Sequence, residues 1–208
     1  MNAFENESGH IVFDLPVSDK NVFFWWPDAE GNAPDPHEIK ADMLRFTFDP
    51  TTENLDLPRP EVLLAKDCEF SRIDERYSMQ RHKHGFFNLM DPSLGTDFGR
   101  IVPVMGGGHA LYNSLGHLDM QTRRLETYFP GKTHLVQEPV FIPRSEAAEE
   151  ADGWLMSLVN NYATMGSELH IVDTNDFTKA QAIVVLPVRL RAGLHDNWVP
   201  KSELDLLV

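Results

Sequence analysis

Near its C-terminal end the chain carries the stretch Glu168-Leu169-His170-Ile171-Val172-Asp173, which is followed by the polar turn Thr174-Asn175-Asp176. The same order of a strand, a terminal aspartate, a polar turn and another strand occurs at 44–55 and again at 113–125. An aspartate at the end of a strand closes a turn by accepting hydrogen bonds from backbone N–H groups that follow it. The three copies therefore predict one structural unit that is used repeatedly.

The spacing of these copies favours a β-propeller. They recur at intervals of roughly 50 to 70 residues, near or above the periods of propeller blades, each of which has four strands. The sequence therefore predicts an all-β fold, a partial β-propeller of about three to four blades, with 1–208 as one domain. Such a chain leaves two open blade faces and an unpaired strand edge, which indicates that it is part of a larger ring. An all-β sandwich with coincidental Asp turns is the alternative fold.

Short apolar runs between turn residues predict the individual strands. They are His10–Leu15, Asn21–Trp26, Met43–Phe48, Glu61–Ala65, Gly85–Leu89, Arg100–Val104, Ala110–Leu118, Leu125–Phe129, Glu138–Ile142, Trp154–Asn160, Glu168–Val172, Ala182–Pro187 and Trp198–Val199. Helical periodicity is scarce. Asp35–Asp42 is compatible with one or two helical turns, and Ser145–Ala151 is expected to be a loop with a short helical turn.

Composition excludes some classes of function. The formal net charge is −14 at pH 7, whereas nucleic-acid binders carry basic patches, so we expect no nucleic-acid partner. Cys68 is the single cysteine, which rules out an intrachain disulfide and fits a reducing, cytoplasmic location. The polar N-terminus lacks the pattern of a signal peptide. The longest apolar runs are strand-length, well below the ~20 residues that span a bilayer, so no transmembrane segment is predicted.

A glutamate and a late histidine stand out as candidate metal-site residues. Glu138 lies in the otherwise apolar run Val136–Ile142, and a glutamate is almost never fully buried unless it is paired. Glu69 raises the same question. His195 comes soon after Gly193, where the backbone can approach another element closely, and on a strand near a propeller axis it would face the central cavity. Taken alone, His195 is more often a hydrogen-bonded core histidine. A metal-bound imidazole normally donates its second N–H to an acceptor such as a carboxylate.

Two further motifs are weaker. His82-Lys83-His84 would place both imidazoles on one face of a strand, as a pair of metal ligands requires, but the flanking Arg81 and Lys83 favour a solvated basic strand. Gly106-Gly107-Gly108 lacks the Lys-Ser/Thr and the helix that follow a phosphate-binding loop. A flexible turn is therefore the expected structure there.

Taken together, these residues resemble the carotenoid cleavage oxygenases, a family that includes the lignostilbene dioxygenases. The similarity is to the C-terminal half of the family and runs nearly end to end. The motifs that carry it are Asn2–Glu5, Cys68–Ile73, Gln137–Arg144, Asp152–Trp154 and Gly193–His195. No one of them is specific alone, but the set is. The turn Tyr128–Gly131, together with Gln137 and Arg144, resembles the lignostilbene branch.

The resemblance implies a seven-bladed propeller in which four histidines bind Fe(II) on the axis. Three glutamates orient three of those histidines, O₂ is the co-substrate, and an alkene C=C is cleaved to two carbonyl products. By this resemblance, His195 matches the fourth iron ligand and Glu138 matches the glutamate that orients it. Glu69 matches the glutamate that orients the third ligand.

The chain departs from the family in two respects. The family's third histidine precedes the Asn-Ala-Phe-Glu motif, a place that falls upstream of Met1, and the first two ligands and the remaining glutamate also belong upstream. Asp196 stands where the family usually has glycine, and its carboxylate would either perturb the site or face the outer rim. We therefore expect the chain to be the C-terminal part of a dioxygenase, inactive alone, because one imidazole binds Fe(II) weakly.

The substrate and two rival functions stay open at this stage. The resemblance implies a small hydrophobic or phenolic alkene, and a stilbenoid, another phenylpropanoid and an apocarotenoid all fit. One rival function is a non-catalytic interaction module that another chain completes. The other is a metal-dependent sugar or lactone hydrolase, whose Ca²⁺ site would gather oxygen ligands and so fits a histidine and a buried glutamate less well.

Overall fold

A computed structural model describes residues 1–22, 26–35, 38–54, 56, 58–106, 111–193 and 195–204 of the chain. In this part of the chain the strands form three antiparallel sheets, each built from strands that are consecutive in sequence. The first sheet contains, in order, β1 (Asn2–Glu5), β2 (Ile11–Val17), β3 (Asp42–Phe48) and β4 (Glu61–Leu64). The second contains β5 (Cys68–Arg72), β6 (His84–Leu89), β7 (Ser114–Asp119) and β8 (Leu125–Tyr128).

The third sheet differs from the other two at its first strand. Both β9 (His134–Val136) and β10 (Val140–Pro143) pair with the same edge of β11 (Gly153–Asn161). The sheet continues through β12 (Gly166–Asp173) to β13 (Ala180–Val185). β9 and β10 therefore act as a single first strand of this sheet, which is interrupted between Val136 and Val140.

The predicted aspartate turns are present, and each joins the third strand of a sheet to the fourth. The carboxylate in each copy accepts a hydrogen bond from the N–H two residues later: from Thr51 to Asp49 at 2.9 Å, from Gln121 to Asp119 at 2.8 Å and from Asn175 to Asp173 at 2.9 Å. Because the three turns occupy equivalent places, the sequence repeat corresponds to a structural repeat. The described residues thus form three sheets of one design, unlike the two sheets of the alternative sandwich.

The second sheet lies between the other two and shares a core with each. Successive side chains of a strand face opposite sides, and in β6 Phe86 packs among residues of the third sheet whereas Phe87 packs among residues of the first. Gly116 in β7 lies opposite Phe87, and a Cβ there would come within 2.5 Å of the phenyl ring. The small residue lets Phe87 lie flat across its own sheet.

The prediction of a strand at Arg100–Val104 is wrong, because these residues lie in the helix α1 (Phe98–Met105). The Asp97 side chain accepts a hydrogen bond from the N–H of Arg100 at 3.0 Å and so caps the first turn. Ile101 is fully buried while Val102 is half exposed. The apolar run that suggested a strand thus contributes a single face of a helix to the core.

Other predictions have mixed outcomes. Trp198–Val199 is irregular, and a second short helix, α2 (Lys201–Leu204), follows it. The strand predicted at Asn21–Trp26 falls partly on 23–25, which lie outside the described residues, as do 36–37 of Asp35–Asp42; the described remainder of that segment contains no α-helix. The loop at Ser145–Ala151 is confirmed. No helix within the described ranges is long and apolar enough to cross a bilayer.

Candidate metal centre

The interruption between β9 and β10 holds the glutamate that the sequence singled out. Pro139 has no N–H to give to a ladder, so the strand cannot continue regularly there. Gln137 and Glu138 are both buried, with 5% of each residue exposed. The Ser157 hydroxyl of β11 donates to the Gln137 carbonyl at 2.7 Å and keeps the interruption tied to the sheet. Two polar side chains are thereby fixed beside the chain that follows β13.

That following chain carries His195, and both buried side chains hold it. The amide oxygen of Gln137 accepts a hydrogen bond from the N–H of Gly193 at 2.7 Å. Glu138 Oε2 lies 3.1 Å from His195 Nδ1 and accepts a hydrogen bond from the N–H of Asp196 at 2.9 Å. His195 therefore lies in an irregular segment and not on a strand, which corrects the expectation from sequence.

The imidazole of His195 is oriented but not enclosed. Its side chain is 79% exposed, so it is not the core histidine that its residue type alone favours. The Phe70 ring meets it edge-on, with 5.9 Å between the ring centroids. An ionised carboxylate can only accept, so the hydrogen bond to Glu138 requires the proton on Nδ1 and leaves Nε2 with a free lone pair. Among the described residues no group bonds to that Nε2 atom.

A guanidinium shares the other oxygen of Glu138. Arg72 Nε donates to Glu138 Oε1 at 2.8 Å, and Arg72 Nη2 donates to the backbone carbonyl of Asp196 at 2.6 Å. Glu75 accepts a more distant contact from Arg72 Nη1 at 3.3 Å. Burial and the nearby Glu138 carboxylate raise the pKa of the Asp196 side chain. The backbone of Asp196 forms part of the support of His195 through its N–H and its carbonyl.

These residues line one open cleft of about 550 Å³. Arg72, Glu138, His195 and Met1 are among the residues that line it. The α-amino group of Met1 has a pKa lowered by burial, with the Glu69 carboxylate acting in the opposite direction. The Met1 amino group is therefore close enough to both Glu69 and Glu138 for their charges to act on it.

The predicted role of Glu69 is to orient a histidine, and its contacts do not test that role. Its Oε2 accepts a hydrogen bond from the N–H of Phe70 at 3.0 Å, and burial raises the pKa of its carboxyl. Within the part of the chain that the structure describes, no imidazole donates to Glu69. Its assignment as the partner of a third histidine stays a prediction.

The weaker candidates, His82-Lys83-His84 and the glycine run from Gly106, form no metal or phosphate site within the described residues. His82 is buried with Nε2 at 3.3 Å from Asp14, whereas His84 points to His117, with 3.1 Å between Nδ1 and Nε2. They therefore share no ligand position, and His82 does not lie on a solvated strand. Gly106 ends α1 with a φ of 89°, and the two glycines after it lie outside the described residues.

The donors present fit one part of an iron site. An exposed imidazole with Nδ1 held by a buried carboxylate and Nε2 free is the arrangement that a metal-binding histidine needs. Over the described ranges no group of three or more His, Cys, Asp or Glu side chains is arranged to hold a metal ion. The described residues of this cleft therefore offer one oriented donor, the Nε2 atom of His195.

Known proteins match the chain over nearly all of its length. A sequence profile of the family described as "Retinal pigment epithelial membrane protein" matches residues 1–200. The chain is 59% identical over 203 residues to the resveratrol cleavage oxygenase 1 of Aspergillus fumigatus, covering 98% of this chain and 41% of that protein. It is 34% identical to the lignostilbene-α,β-dioxygenase isozyme III of Sphingomonas paucimobilis, with coverages of 99% and 41%.

Solved structures give the same result. The crystal structure of the lignostilbene dioxygenase of Pseudomonas brassicacearum superposes with a TM-score of 0.87 at 36% identity, over 96% of this chain and 40% of that one. The chain thus spans about two fifths of the length of the relatives that it matches. The matched profile, the identities and the shared fold show that the chain belongs to the family of the retinal pigment epithelial membrane protein, the carotenoid cleavage oxygenases.

Proposed function

We propose that the chain is the C-terminal part of an iron-dependent dioxygenase that cleaves the C=C bond of a stilbenoid. The reaction combines the alkene with one O₂ and yields two carbonyl products, one from each alkene carbon. The observation that carries the proposal is the contact between buried Glu138 and exposed His195, whose Nε2 is left free. When bound, Fe(II) supplies the redox centre at which O₂ reacts.

The role of this chain is to hold one iron-binding nitrogen ready. Glu138 keeps the proton on Nδ1 of His195, so Nε2 needs no rearrangement before it meets the metal. Phe70 limits rotation of the imidazole from the side. We propose that segments upstream of Met1 supply the other three histidines. The position of Met1 on the cleft that Glu138 and His195 line supports this proposal.

Exposed apolar surface supports the proposal of further blades. The outer strand of the third sheet exposes Ile183, Val184 and Val185, and the first sheet exposes Phe13 and Leu15. Large exposed apolar surfaces usually mark contacts with another element or chain. We infer that additional blades of the same propeller cover these surfaces, which makes the described sheets three blades of a seven-bladed ring.

The substrate proposal follows the relatives. The protein with 59% identity is named a resveratrol cleavage oxygenase, and a second relative with 46% identity, from Neurospora crassa, is named carotenoid cleavage oxygenase 1. A stilbenoid is therefore the first substrate to test and a carotenoid or apocarotenoid is the second.

The test compares the 208-residue chain with a protein that also contains the upstream segment. We expect the longer protein to bind iron stoichiometrically and to convert a hydroxystilbene into two aromatic aldehydes, whereas the short chain binds iron weakly and is inactive. Tight stoichiometric iron in the short chain would contradict the proposal. The mass in solution tests the alternative, because a defined complex with a different chain and no oxygenase activity would favour an interaction module.

A further inference from the structure

We propose that Arg72 is a positioning residue for His195, which acts through Glu138 and through the backbone of Asp196. The inference rests on the proposed function, because it assumes that His195 Nε2 is the atom offered to a metal. Arg72, Glu138 and the backbone of Asp196 form a closed ring of hydrogen bonds next to His195.

The two carboxylate oxygens of Glu138 have different partners. Arg72 Nε donates to Oε1 at 2.8 Å, whereas His195 Nδ1 and the N–H of Asp196 both approach Oε2. The Glu138 side chain is 6% exposed, so water cannot easily replace the guanidinium. Without Arg72 the carboxylate would be free to rotate, and Oε2 would no longer be directed at Nδ1.

Hydrogen bonds also hold the backbone of Asp196. The N–H of Asp196 is bonded to Glu138 Oε2 at 2.9 Å, and its carbonyl accepts from Arg72 Nη2 at 2.6 Å. Both polar backbone groups of the residue next to His195 are therefore fixed by the Arg72–Glu138 pair. The described residues of this segment form no strand or helix, so these bonds, together with the one from the N–H of Gly193 to Gln137, determine where the imidazole lies.

The geometry of these contacts requires an arginine at position 72. A guanidinium donates in several fixed directions from one plane, so it reaches a carboxylate through Nε and a carbonyl through Nη2 at once. A lysine ammonium in the same place is a point charge on a flexible stem, so it would not hold the carboxylate and the carbonyl in one fixed geometry. The Arg72→Lys variant therefore separates the charge from the geometry.

The experiment measures the tautomer of His195 in the 208-residue chain without metal, by nitrogen-15 NMR of the imidazole rings at a pH where they are neutral. His195→Gln assigns the resonances. In the unaltered chain we expect the proton on Nδ1 of His195. His170 gives an internal reference, because its Nε2 lies 2.7 Å from Glu168 and its Nδ1 lies 2.6 Å from the Tyr128 hydroxyl, which predicts the opposite tautomer.

In Arg72→Gln and in Arg72→Lys we expect His195 to become a mixture of both tautomers while His170 is unchanged. Arg76→Gln is the matched control, because Arg76 bonds to Asp74 and to carbonyls of the loop at 145–149 but does not touch Glu138. A loss of stability alone would follow substitution of either Arg72 or Arg76, whereas a change of the His195 tautomer should appear only in the Arg72 variants.

A second measurement uses the longer protein. There we expect Arg72→Gln to weaken iron binding by ~10–100-fold, as loss of support for a metal-binding histidine usually does. An unchanged His195 tautomer in both Arg72 variants would overturn the inference and leave the proposed function intact. A longer protein that binds no iron, although the tautomer depends on Arg72 as expected, would instead overturn the proposed function.

Discussion

Two histidine–glutamate pairs in the third sheet and its C-terminal extension have opposite designs. In the His195–Glu138 pair the carboxylate is buried and the imidazole is 79% exposed, with one ring nitrogen free. In the His170–Glu168 pair the imidazole is 1% exposed and both ring nitrogens are bonded, one to Glu168 and one to the Tyr128 hydroxyl. The residue types are the same, so the free nitrogen and not the pairing distinguishes a possible metal ligand from a core histidine.

The largest expected effect is loss of the metal. In the longer protein, His195→Ala removes the nitrogen that we propose as an iron ligand, and we expect both iron and activity to be lost. Iron content per protein after gel filtration measures this. His84→Gln is the control, since its imidazole lies in another cleft, beside His117, and this variant should keep its iron. Full iron content in His195→Ala would contradict the proposed role of His195 as an iron ligand.

The next effect comes from the same chemical change made in each pair. Glu138→Gln puts an amide where His195 needs an acceptor with negative charge, and we expect iron affinity to fall by ~10–100-fold. Glu168→Gln makes the identical change beside His170 and should leave iron affinity unaltered while lowering stability. Competition with an iron chelator measures the affinities. Equal losses in both variants would mean that the two pairs do not differ in function.

The third prediction concerns the core pair alone. Tyr128→Phe removes the hydroxyl that bonds to His170 Nδ1 at 2.6 Å and leaves a buried acceptor without a partner. We expect the free energy of unfolding to fall by about 2 kcal/mol. Denaturant unfolding measures it, with Tyr77→Phe as the control, since no hydrogen bond of the Tyr77 hydroxyl occurs within the described residues. Iron affinity in the longer protein should not change.

These pairs also show what could be read from the sequence. The strand–aspartate–turn repeat predicted the sheets because each turn depends on local hydrogen bonds, as between Asp119 and Gln121. Glu138 and His195 were singled out by a buried charge and by resemblance. The role of Arg72 cannot be read from the sequence, because its contact with Glu138 joins residues 66 positions apart. The short apolar run 100–104 favours a strand by its composition, and the signal for the helix α1 is the capping residue Asp97.

Another buried histidine, His117, gives the smallest predicted effect. His117 lies in β7, and burial, followed by the neighbouring His84, lowers its pKa to about 4. The other charged groups at this place are Asp119, Arg124 and Glu126, and Glu126 Oε2 lies 3.6 Å from His117 Nδ1. Its Nδ1 makes no hydrogen bond among the described residues, so burial, and not a bonded second nitrogen, separates this imidazole from the exposed His195.

The sign of the pH effect follows from that lowered pKa. Below the ordinary histidine pKa of about 6.5 the unfolded chain takes up a proton that the folded chain refuses, so stability is lost as the pH falls from there toward about 4. Between about pH 7 and pH 5.5 His117 should account for about 1 kcal/mol of the decrease in the free energy of unfolding. Denaturant unfolding at both pH values should show a shallower decrease in His117→Gln. An equal decrease in both proteins would mean that His117 is not held neutral by burial, and the contrast with the exposed His195 would lose one of its supports.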